Sequence, residues 1–154
     1  MPIEKSAGAL IFRKEKDTKR YLLLHYESGH WEFVKGHIEK GESIKDTVRR
    51  EAKEEAGIDD LEFIEGFKET VKYFFKWPPR RGKFKTGQKS KNIMKFVTFL
   101  LAETKTENIK LSHEHIGYEW LPYEQAFGKL TFKNAKELLK KAREFLIKHE
   151  IYHP

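Results

Sequence analysis

The chain has 154 residues, with 31 basic against 24 acidic side chains and a formal charge of +7, a size that suits one domain over 1–154 with a real core. It has no cysteine, which excludes disulfides and thiolate metal sites and makes a cytoplasmic address the expectation. It also has no apolar run of about 18 residues to span a membrane, and Met1–Phe12 reads as mature structure rather than a signal peptide.

In chain order, the apolar runs Ala7–Arg13 and Tyr21–Tyr26 flank the polar Lys14–Arg20, which predicts a hairpin. Gly29–Gly41 holds three glycines and reads as a loop with at most a short strand. Ser43–Gly57 is the best helix in the sequence. Ser43 is suited to the N-cap, Ile44, Val48, Ala52 and Ala56 repeat every fourth residue, and Gly57 suits the C-terminal stop. Leu61–Lys76 and Ile93–Leu101 are rich in Phe, Val, Ile and Tyr and are expected as two long strands. Trp77–Asn92, with two prolines and two glycines, is expected as a loop. Ile116–Leu121 is a short strand, Pro122–Gly128 a helical turn or two, and Lys133–His149 a closing helix with Leu138, Leu139, Ala142, Phe145 and Leu146 on one face. Strands, helix, strands, helix imply an α/β fold, a mixed sheet with helices packed on its faces.

The positive charge is local. Thr70–Ala102 contains nine bases and no acid, which leaves the rest of the chain slightly acidic. Such a stretch suggests an anionic ligand more than a generally adhesive surface.

The chemistry concentrates between Gly36 and Ile58. On a helix turning roughly 100° per residue, Glu51, Glu54 and Glu55 share one side. Three carboxylates there repel one another, and they sit toward the C-terminal end, where the helix dipole disfavours negative charge. A divalent cation resolves both problems, because Mg²⁺ prefers hard oxygen ligands. The bland alternative is a solvated face neutralised by Arg49, Arg50 and Lys53.

The full spacing, Gly36, five residues, Glu42, seven residues, then Arg50-Glu51-Ala52-Lys53-Glu54-Glu55-Ala56-Gly57-Ile58, matches the Nudix box at every fixed position. The chain therefore resembles the Nudix hydrolases. That resemblance implies the Nudix fold, an α/β/α sandwich with a central mixed sheet. It implies divalent metal, Mg²⁺ with Mn²⁺ as a substitute, held by Glu51, Glu54 and Glu55 with the Gly36 carbonyl. Glu42 and Arg50 would form an ion pair fixing the loop to the helix.

Outside the box, Ser6–Arg13, His30-Trp31, Lys35-Gly36-His37, Ile64–Lys68, Leu111–His115 and Phe132 are similar to the asymmetrical diadenosine tetraphosphate hydrolases. This second resemblance implies that His30, Lys35 and Lys95 contact the polyphosphate and that Tyr73 and Phe132 sandwich an adenine. Glu114 would be a further metal ligand or the base that activates water. Products would be ATP and AMP. The expected partner is a small dinucleoside polyphosphate, with no membrane and no obligate protein partner.

Alternatives stay open at this point. Tyr73 and Phe132 read equally as core aromatics, and His113 with His115 invites a zinc reading, though two such histidines lack a third ligand. The basic stretch with Arg80, Arg81, Lys83 and Lys85 keeps an RNA 5′ end as the alternative substrate. A Nudix domain that binds nucleotide without cleaving it is disfavoured by the intact Glu51, Glu54 and Glu55.

Overall fold

The computed structural model describes residues 2–77 and 91–152. The basic segment with Arg80, Arg81, Lys83 and Lys85 lies outside the described residues, as does most of the loop expected over Trp77–Asn92. The elements are β1 (Ile3–Glu15), β2 (Thr18–Tyr26), β3 (Trp31–Glu32), β4 (Val34–His37), α1 (Ile44–Ala56), β5 (Glu62–Phe63), β6 (Glu69–Trp77), β7 (Lys91–Glu103), β8 (His115–Pro122), α2 (Tyr123–Lys129) and α3 (Lys133–Tyr152).

All the strands join one eight-stranded mixed sheet. β1 runs parallel to β7, while its pairings with β2 and β4 are antiparallel. β8 extends the sheet beyond β2, and β6 pairs with β7. The β1–β2 hairpin turns at Lys16, whose φ of 56° is left-handed.

Alternation along the central strands divides the core in two. Leu10, Phe12, Tyr21 and Leu23 pack with Leu138, Leu139 and Ala142 of α3. Ala9, Ile11, Leu22 and Leu24 pack with Val48, Ala52 and Ala56 of α1. Both sheet faces are thus covered, which is why these strands read as continuous apolar runs. Each fully buried Leu, Ile or Phe contributes roughly 1.5–3 kcal/mol. Phe145, expected on the buried face of α3, is only partly buried and meets Phe67 edge-on at 5.7 Å.

Helix α1 forms where its local signals place it. Ser43 Oγ accepts from the Asp46 N–H at 3.0 Å, and Asp46 Oδ2 accepts from the Ser43 N–H at 3.0 Å, closing a capping box. Gly57 ends it in the left-handed region at φ 69°.

Two expectations are corrected. Leu61–Lys76 is not one strand: β5 and β6 both pair with β7, but residues 64–68 intervene. Gly66 turns there at φ 102°, and a side chain on it would meet the Phe145 ring. Gly29–Gly41 holds two short strands rather than a loop with at most one. β3 pairs with β2, and β4 with β1, where Ala7 faces Gly36. Those pairings come from distant partners, so glycine content alone hides them.

Candidate active site

Strand β4 delivers Gly36 against the middle of α1, and the fit is close. A Cβ on Gly36 would overlap the Glu51 carboxyl group, so a larger residue there would have to displace that side chain.

Arg50 organises the loop and the carboxylates together. Its Nε and Nη2 donate to Glu42 at 2.8 and 3.0 Å, and Nη2 also donates to the His37 carbonyl at 2.8 Å. This two-pronged bond has the geometry that a guanidinium favours. Hydrogen bonds from Arg50, and then from the Glu39 N–H, pull the Glu42 carboxyl down to about 2. Arg50 Nη1 also reaches Glu51 at 2.8 Å and Glu54 at 3.2 Å. Of Arg49, Arg50 and Lys53, Arg50 is the one that reaches the ridge. Arg49 turns instead to the Leu61 carbonyl and the Phe63 ring, and Lys53 to Asp59.

The ridge is graded in exposure. The Glu54 side chain is 58% exposed, that of Glu51 12% and that of Glu55 6%. Burial, followed by repulsion from Glu51, pushes the Glu55 carboxyl up to about 9. Burial likewise raises Glu51. Among the described residues Glu55 Oε2 has no hydrogen-bond partner, and the nearest cation candidate is His115 Nε2 at 3.7 Å.

Glu114 and His113 are exposed and line the same cavity of about 550 Å³ as Gly36, Glu51, Glu54 and Glu55. His115 is not part of that lining and stands beside Glu55 instead. It is buried, its Nδ1 pairs with Ser112 Oγ at 2.9 Å, and its ring meets Tyr26 edge-on at 4.4 Å. The zinc reading gains nothing, since among the described residues no three His, Asp or Glu converge into a ready cage. A divalent ion would instead draw Glu51 and Glu54 away from Arg50. The donor chemistry fits such an ion: five carboxylates, Glu39, Glu51, Glu54, Glu55 and Glu114, line one cavity, and the buried Glu55 Oε2 lacks a hydrogen-bond partner among the described residues.

A second cavity, of about 830 Å³, opens beside the first and is lined by His30, Glu32, Lys35, Tyr73, Lys95 and Phe132 among others. Every residue expected to touch polyphosphate or adenine is therefore in one place. Tyr73 is half-buried and Phe132 is 43% exposed, so Phe132 is not a core aromatic. His30 lies between rings, stacked on Tyr26 at 4.5 Å and tilted to Phe132 at 5.3 Å. Burial and then the Lys35 charge lower both His30 and Lys95. Burial, then Glu32, pushes the Tyr73 hydroxyl up to about 12.

Lys35 and Lys95 line both cavities and form the seam between them. Sequence reasoning missed two contributors here, namely Tyr26 and Glu32. Only Glu32 left a signal, as a charge inside the apolar run Trp31–Val34.

A carboxylate-lined cleft joined through lysines to an aromatic cavity defines a hydrolase of phosphorylated nucleotides, and comparison gives its family. The model of the NUDIX domain matches residues 2–145, and the chain belongs to the Nudix family. Nudix hydrolases depend on a divalent metal ion. The chain is 34% identical to the mouse asymmetrical bis(5′-nucleosyl)-tetraphosphatase, over 92% of this chain and 95% of that protein. It is 34% identical to an RNA pyrophosphohydrolase of Nitratiruptor, over 77% of this chain and 74% of that one. In structure it resembles the Caenorhabditis elegans Ap4A hydrolase solved as a binary complex, with a TM-score of 0.77, 31% identity, and coverage of 94% and 98%. Among the described residues no helix is long and apolar enough to cross a membrane.

Proposed function

We propose that this chain hydrolyses diadenosine tetraphosphate to ATP and AMP with Mg²⁺, in the cytoplasm and as a single catalytic domain over 1–154. One observation carries the reading: Lys35 and Lys95 belong at once to the carboxylate cavity and to the aromatic cavity. A ligand with phosphates at the seam would thereby place a base between Tyr73 and Phe132 and a phosphorus atom beside the carboxylates. Similarity to the mouse tetraphosphatase over nearly the whole chain supports the same substrate.

Glu51, Glu54 and Glu55, with the Gly36 carbonyl, would hold the ion. When bound, the ion supplies charge neutralisation at phosphorus and an acidified water. The protein's own groups do the rest. Glu114 stands at the solvent-open rim, suited to take a proton from the attacking water. As the water oxygen bonds to phosphorus, the bridging P–O bond breaks and its electron pair leaves on the departing phosphate. His30, Lys35 and Lys95 are placed to stabilise that charge. Stacking of a base on an aromatic ring is worth about 1–3 kcal/mol, enough to anchor one end of the substrate.

A second reading is an RNA 5′-pyrophosphohydrolase, supported by the acid-free stretch Thr70–Ala102 and by the Nitratiruptor relative. One panel separates the two: dinucleoside polyphosphates, 5′-triphosphorylated RNA, ADP-ribose and nucleoside triphosphates, each with Mg²⁺ and with EDTA. The proposal expects diadenosine tetraphosphate to have the highest kcat/KM and EDTA to abolish turnover.

A further inference from the structure

Two glutamates are buried among the described residues, Glu32 and Glu55, and only Glu55 has a part in the chemistry above. Glu32 is 1% exposed and lines the aromatic cavity. Its neighbours Trp31, Phe33 and Val34 are apolar, so packing alone would favour an apolar residue there. Its Oε1 accepts from the Phe33 N–H at 3.2 Å. Its Oε2 accepts no hydrogen bond among the described residues and faces Lys35 Nζ at 3.9 Å. A buried carboxylate left so nearly alone is costly unless a cation answers it. The cations within its field are Lys35 and Lys95, the two residues of the seam. Those two also repel each other, so a fixed anion is what lets both stand there.

We infer that Glu32 is a positioning residue, whose carboxylate holds the Lys35 ammonium at the seam between the two cavities before the polyphosphate arrives. The inference rests on the reading of Lys35 as a polyphosphate contact. A lysine side chain is long and has many rotamers, so an anchored ammonium loses less freedom when phosphate binds. Glu32 thus acts on the reaction through Lys35, without touching the substrate.

The test is a double-mutant cycle of wild type, Glu32→Gln, Lys35→Met and the double variant, with Glu32→Asp alongside. Its readouts are the inhibition constant of inorganic tripolyphosphate, the Kd of adenosine, kcat and KM for diadenosine tetraphosphate, and Tm. In Glu32→Gln the tripolyphosphate constant and KM should rise about tenfold, and kcat should fall no further than it does in Lys35→Met. Adenosine affinity should not change, Glu32→Asp should recover most of the loss, and Glu32→Gln should add nothing to Lys35→Met. If Glu32→Gln fails to fold, Glu32→Met, which the apolar neighbours Trp31, Phe33 and Val34 accommodate, replaces it in the same cycle with Lys35→Met. An unchanged tripolyphosphate constant in Glu32→Gln, with a weakened one in Lys35→Met, overturns the inference and leaves the site reading standing. Additive losses, or a parallel fall in adenosine affinity, also overturn it. An unchanged constant in Lys35→Met overturns the site reading itself, and the inference with it.

Discussion

Gly36 of β4 and Glu51 of α1 touch so closely that a single added methyl group on Gly36 would occupy the space of the Glu51 carboxyl. The contact joins the sheet to the carboxylate ridge, and it gives the first prediction. Gly36→Ala should displace Glu51 and lower kcat about 100-fold or more, since small misplacements at a reacting centre cost that much. Raising the Mg²⁺ concentration should recover part of the loss. A Gly36→Ala enzyme with near wild-type kcat would show that the contact has no part in turnover.

Glu55→Gln should lower turnover by several orders of magnitude, because the amide keeps the shape but not the charge a metal ion needs. Without metal, its Tm should equal or exceed that of wild type. Glu55 is buried beside Glu51, which raises its pKa, and the substitution removes the cost of burying a carboxyl that is ionised in the unfolded chain. Steady-state kinetics and thermal melts in EDTA check the two halves. A lower metal-free Tm would mean that Glu55 is chiefly structural.

Tyr73→Ala and Phe132→Ala should each raise KM for diadenosine tetraphosphate about tenfold or more. Hydrolysis of a minimal substrate lacking a base should barely change. Phe132, exposed at the cavity mouth, should lose affinity without losing stability. Tyr73 also packs on the core, so its substitution should lower Tm as well.

Acid stability should depend on Asp60. Its partial burial raises its pKa, but hydrogen bonds from the Thr104 hydroxyl, the Lys105 N–H and the Thr106 hydroxyl outweigh that and leave it lowered. A lowered folded value means stability that is present above the unfolded value of about 3.9 and is lost as pH falls through the folded one. Asp60→Asn should therefore be less stable than wild type at pH 7, and the gap should close toward pH 2. Chemical denaturation at several pH values measures that gap. A gap that is constant with pH would contradict the account.

How much of this was legible in the sequence depends on how local the signal is. Helix α1 could be read to its ends, because Ser43, Asp46 and Gly57 act within one turn of the backbone they cap. The carboxylate ridge follows from that helix, whereas the Glu42–Arg50 pair came only with the family resemblance. The break between β5 and β6 could not be read. The residues around Gly66 look like strand formers, and only the pairing of both strands with β7 interrupts them. The meeting of Tyr73, Phe132 and His30 in one cavity is equally non-local, and only resemblance to a family brought those residues together beforehand. Glu32 was overlooked because its partners, Lys35 and Lys95, converge only when β3, β4 and β7 share a sheet.

The most direct test of the central claim is product analysis. The purified protein is incubated with diadenosine tetraphosphate and Mg²⁺, and the nucleotides are separated as they form. The account predicts ATP and AMP in equal amounts from the first turnover, with none in EDTA. Two equivalents of ADP, or no cleavage beside rapid release of pyrophosphate from 5′-triphosphorylated RNA, would contradict it.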